Sequence, residues 1–93
     1  MKPMYVMALI ATPTFMALSP MAAMAMPVVG DVVGTNPTDA TAALLAAGCT
    51  VAEFEAEGGK IEAKCYEAAT GKAWEVYIDP KTGAVTEIKA SDD

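Results

Sequence analysis

The stretch from Trp74 to Lys89 constrains the fold most. It reads Trp-Glu-Val-Tyr-Ile-Asp-Pro-Lys-Thr-Gly-Ala-Val-Thr-Glu-Ile-Lys, a strongly alternating apolar run, then a turn, then a weaker run. Trp74, Val76 and Ile78 point one way and Glu75, Tyr77 and Asp79 the other, the period of a strand with one buried face. Between the runs, the Asp79 carboxylate suits backbone N–H groups, Pro80 presets φ for the second turn position, and Gly83 supplies a positive φ that branched residues resist. The pattern predicts a β-hairpin with Ile78 opposite Ala84, Val76 opposite Thr86 and Trp74 opposite Ile88, which keeps one mostly apolar face.

The rest of the chain supplies a cover for that face. Asn36-Pro37-Thr38-Asp39 is a helix start: Asn36 caps, Pro37 sits where its missing N–H does no harm, and Asp39 favours the positive helix end. Ala40, Ala43, Leu44 and Ala47 form a narrow apolar stripe, and Gly48 ends the helix. Thr50 to Glu57 alternates with Ala52, Phe54 and Ala56 inward, and Lys60 to Glu67 alternates with Ile61, Ala63 and Cys65 inward. A Gly58-Gly59 loop sets Ala56 opposite Ile61, Phe54 opposite Ala63 and Ala52 opposite Cys65. The expected fold is α+β, one α-helix packed on a four-stranded antiparallel β-meander over residues 36–90, with an acidic tail at 91–93.

An apolar content of 54% is high for an acidic chain of 93 residues, and the first quarter of the sequence accounts for it. Residues 1–25 read as a secretory signal peptide, with Lys2, an apolar stretch from Met4 to Leu18, and Ala23-Met24-Ala25 before a cut that leaves Met26 first. Pro13 and Pro20 interrupt the run, which weakens the alternative of a retained membrane anchor. The expected compartment is therefore the periplasm or the exterior. Residues 26–35 form an extended lead-in: either a linker, or a segment that lays Val28 and Val32 against the core edge or adds a short edge strand.

Exported chains more often pair two cysteines than leave them free, so Cys49 and Cys65 are a candidate disulfide. The predicted register opposes this, because it puts Cys49 three residues from the partner of Cys65; buried free thiols are the alternative. A zinc site does not follow from two cysteines without histidine, and no cofactor is indicated. The same lack of histidine removes Ser-His and Cys-His nucleophile pairs. Glu53, Glu55, Glu57, Glu62, Glu75 and Glu87 fall on the predicted outer face, where solvent keeps carboxylates at ordinary acidity. Six scattered lysines against twelve carboxylates leave no footprint for nucleic acid. The reading is a non-enzymatic binding protein, with weak divalent-cation binding by the acidic face as the alternative; outer-face Tyr66, Tyr77 and Val85 are either a modest contact patch or, as is commoner, scattered surface apolar residues.

One family shares this layout. The order helix, Gly48, Val51 and Glu53, Ile61-Glu62-Ala63, Gly71, and above all Val76-Tyr77-Ile78-Asp79-Pro80-Lys81-Thr82-Gly83 resembles the PepSY domain, over residues 36 to 89. Ile61 stands where family members often carry an aromatic residue, and the cysteines are not general to the family. The resemblance implies a small exported α+β module of the kind found in metallopeptidase propeptides and stand-alone envelope proteins. Its expected partner is an exported peptidase or another envelope protein, which it inhibits or regulates by binding. It brings no catalytic residue: Asp79, Pro80, Thr82 and Gly83 match the family turn and are expected to shape it.

Overall fold

A computed structural model describes residues 26–92. The predicted signal segment, residues 1–25, lies outside the described residues. Helix α1 (Pro37–Ala46) precedes strands β1 (Cys49–Glu57), β2 (Lys60–Glu67), β3 (Ala73–Ile78) and β4 (Val85–Ala90). The strands form one antiparallel sheet in chain order, so the architecture is the expected helix on a meander. No described helix is long and apolar enough to cross a membrane.

Local chemistry sets the helix ends. Asn36 Oδ1 accepts from the Asp39 N–H at 2.9 Å, and Asn36 Nδ2 donates to the Asp39 carboxylate at 2.9 Å. At the other end Gly48 adopts φ 99° and donates to the Leu45 carbonyl. Ala40 and Leu44 are the helix residues fully taken into the core, where they meet Cys49, Ala63, Cys65, Val76 and Ile78. Alanines beside Leu44 keep this face low enough for close approach to the sheet.

The inner register departs from expectation on both outer strands, for one reason. Beside β2, Phe54 faces Ala63 and Ala56 faces Ile61 as expected, but Val51, rather than Ala52, faces Cys65. Ala52 is an extra residue in a bulge and is exposed. Beside β3, Ile78 faces Val85 rather than Ala84, Val76 faces Ile88 rather than Thr86, and Trp74 faces Ala90 rather than Ile88. Here Thr86 is the extra residue, and its hydroxyl donates to the Tyr77 carbonyl at 3.3 Å. Val51 and Phe54, like Val85 and Ile88, are three apart. A regular strand would send one of each pair outward, whereas one inserted residue lets both face the core.

The β1 bulge also settles the cysteines. Without it, Cys49 would share the outward parity of Glu53; with it, Cys49 turns inward and lies diagonally across from Cys65. The two form a disulfide with a Cα–Cα distance of 5.4 Å, both fully buried. Closing a loop of this length stabilises the fold by about 3 kcal/mol through the unfolded chain.

The lead-in is a strap on the sheet. Gly30 N donates to the Val85 carbonyl and Val85 N to the Asp31 carbonyl, each at 2.8 Å; Val33 N donates to the Gly83 carbonyl at 2.8 Å. Val32 makes an edge bridge to Ala84, as the short-strand alternative expects, while the side chains of Val28 and Val32 point to solvent and do not cover the core. Pro27 and Val33 are the buried residues, and Met26 packs against the core. Alternation about the Val32 bridge sends Val33 inward and leaves Val32 out.

Candidate functional site

The Asp79–Gly83 turn is held by its own hydrogen bonds. Asp79 Oδ1 accepts from Lys81 N at 2.8 Å, Gly83 N donates to the Asp79 carbonyl at 2.7 Å, and Thr82 Oγ1 accepts from Ala84 N at 3.1 Å. Gly83 has a second duty invisible in the turn motif. With φ 78°, it lies against Gly34 so closely that an added Cβ would stand 2.8 Å from the Gly34 carbonyl carbon. Pro80 sits on this turn and borders the cleft described below.

The three residues expected to make an outer contact patch do not assemble. Tyr66 is exposed, on the rung with Ala73, and Tyr77 is half-buried on the rung with Glu62, about 13 Å along the strand at 3.3 Å per residue. Val85 is on the opposite face, only 1% exposed, because the Thr86 bulge turned it inward. The Tyr77 hydroxyl donates to Glu75 at 3.3 Å and Lys89 stands over its ring at 5.5 Å. Desolvation, then the charges of Glu62 and Glu75, push its hydroxyl up to about 12.

The outer face has two different charge rows. One runs Glu53, Lys64, Glu75, Lys89 across all four strands and alternates in sign. The next runs Glu55, Glu62, Tyr77, Glu87 and contains no cation. In that row Glu62 departs from the ordinary acidity expected of it: its carboxyl is pushed up to about 7. A hydrogen bond with Glu57 is the main cause, followed by desolvation and the charges of Glu75, Glu57 and Glu55. Among the described residues no group of three or more His, Cys, Asp or Glu is placed to hold a metal ion.

The concave feature lies on the inner side, where the helix start stands over the hairpin end of the sheet. Pro37 and Ala40 form one wall of a cleft of about 150 Å³, and Phe54, Ala56, Ile61 and Ile78 form the other. Glu55 also borders it, although its side chain belongs to the outer face, so the cleft reaches the free edge of β1. That edge is bare over a defined span. Gly58 and Gly59 both have positive φ, 56° and 83°, making a two-residue loop whose closing pair Glu57/Lys60 exchanges both ladder bonds. Alternation then makes Glu55/Glu62 the next bonded pair, leaving the N–H and C=O of Phe54 and Ala56 aimed away from β2. Among the described residues no backbone group pairs with them. Sequence reasoning missed this site because its walls come from segments that no local pattern brings together.

No protein-family model, curated protein or solved structure matches this chain.

Proposed function

We propose that this chain is an exported, non-enzymatic PepSY-like binding module that inhibits or regulates an exported peptidase in the periplasm or outside the cell. The observation that carries the reading is the architecture: a helix followed by a four-stranded meander, in the order the PepSY resemblance implies, with Asp79 to Gly83 forming the β3–β4 turn. The buried Cys49–Cys65 disulfide supports an oxidising compartment, since cytosolic thiols are kept reduced. A binding role is further supported by a sheet edge with open backbone groups, the kind of surface on which an extended segment adds as a strand.

The test is capture and inhibition. The immobilised protein is exposed to an envelope extract of its native host, and the exported peptidases of that host are assayed with and without it. Retention of a peptidase together with loss of its activity is expected. An extract that leaves no peptidase on the protein, and peptidases that run at unchanged rates, would overturn the reading.

A further inference from the structure

The strongest unassigned feature is the meeting of the bare β1 edge, the apolar cleft and the outer carboxylates. We infer that the Phe54–Ala56 edge receives an extended peptide whose sequence reads apolar, basic, apolar, and that this peptide docks as a fifth strand. The inference rests on the binding-module reading above and deepens it by naming the edge and the chemistry of the segment bound.

Three observations converge on that sequence. First, the free N–H and C=O groups of Phe54 and Ala56 define the register, because a strand added there bonds to these two residues and places its own residues directly opposite them. Second, side chains opposite Phe54 and Ala56 point to the inner face, into the cleft bordered by Pro37, Ala40, Ile61 and Ile78. The cleft has a volume of about 150 Å³; an apolar cavity of about that size accepts a benzene molecule, so one branched or aromatic side chain fits. Ala56 is small and exposed, which leaves the second inward position room beside it. Third, the residue between them lies opposite Glu55 on the outer face, with Glu53 and Glu57 diagonal to it. Three carboxylates around one position select a lysine or arginine there and reject an acid.

The same charges argue against a second copy as the occupant. Pairing β1 with β1 would bring two rows of Glu53, Glu55 and Glu57 together, on a chain of net charge −6. The bulge at Ala52 limits the docking span on the other side, since an irregular edge does not template a partner strand.

The test uses ¹⁵N-labelled protein and three blocked peptides, Thr-Leu-Lys-Leu-Thr, Thr-Leu-Glu-Leu-Thr and Thr-Ser-Lys-Ser-Thr, followed by amide shifts. The first is expected to bind, with the largest shifts at Phe54 to Glu57, and its affinity is expected to fall about fivefold or more when glutamate replaces lysine. The serine peptide is expected to bind weakly or not at all. Ala56→Pro removes an edge N–H without touching the β2 ladder and is expected to abolish binding while near-ultraviolet dichroism from Trp74 is kept. Should that variant unfold, Glu55→Lys serves instead, and it is expected to invert the preference between lysine and glutamate peptides. Equal binding of all three peptides, shifts centred on β4, or a concentration-dependent dimer with shifts along β1 would each overturn the inference. A peptidase captured equally well by wild type and Glu55→Lys would overturn it while leaving the proposed function standing. Peptide docking at β1 with no peptidase captured would do the reverse.

Discussion

The two edges of the sheet share one device, and their bulged ends differ in what covers them. Both outer strands hold apolar residues three apart, Val51 with Phe54 and Val85 with Ile88, and both insert a bulge residue to face them inward. At β4 the strap then takes the outward groups of Val85 through Gly30 and Asp31. At β1 no such cover follows, and Phe54 and Ala56 keep open groups beside a cleft. A bulge repairs the core side of a strand; it does not by itself close the edge. At β4 the cover comes from a separate segment and reaches only the Val85 end.

The disulfide gives the largest lever on this contrast, because it ties the start of β1 to β2. Replacing both Cys49 and Cys65 with alanine is expected to lower unfolding free energy by about 3 kcal/mol, measured by urea denaturation. Unchanged stability would mean that the ladder alone holds the open edge. A smaller effect falls on the strapped end of β4: Gly83→Ala forces a Cβ into the Gly34 carbonyl at positive φ and is expected to cost about 2 kcal/mol. Hydrogen exchange should then show the Gly30 and Val85 amides losing protection, with Phe54 and Ala56 unaltered because they are already open. Persistent protection at Val85 would show that the strap does not depend on that close approach.

The smallest effect concerns pH. Glu62 holds its proton in the folded state up to about 7, against an ordinary value of 4.5, so between those values the folded chain binds more protons than the unfolded one. Its stabilising contribution is complete below 4.5 and lost as pH rises through 7. Melting temperature should therefore drift down over that window, and Glu62→Gln should flatten the drift. A wild-type profile with the same slope as the variant would remove Glu62 as its source. The expected effect is small because Glu62 is partly exposed and solvent screens its interactions.

Local chemistry was legible in the sequence and long-range chemistry was not. Asn36, Pro37 and Gly48 mark their own helix ends, and Gly58-Gly59 marks its own loop, so α1 and the hairpin end of β1–β2 fall where they were expected. Strict period-two reasoning fails past Ala52 and Thr86, because it assigns one of two apolar residues three apart to solvent instead of inserting a residue. The spacing itself was the missed signal. In the lead-in, the adjacent pair Val32 and Val33 has no period of its own; only the bridge to Ala84 decides which valine enters the core. The cleft is the extreme case, since Pro37, Phe54 and Ile78 meet there from three parts of the chain.

The strap also has a consequence for the order of folding. Every ladder of the sheet joins strands that are neighbours in the chain, so each can form with little loop entropy. The Val33–Gly83 bond instead closes a loop of about fifty residues, and the entropy of that closure is repaid only once the β3–β4 turn exists. The strap is therefore expected to dock after the rate-limiting step. Changes in it are expected to alter the unfolding rate and leave the refolding rate nearly constant, which chevron kinetics would check. The segment Gly30–Val33 is thus expected to act as a latch that sets the lifetime of the folded state.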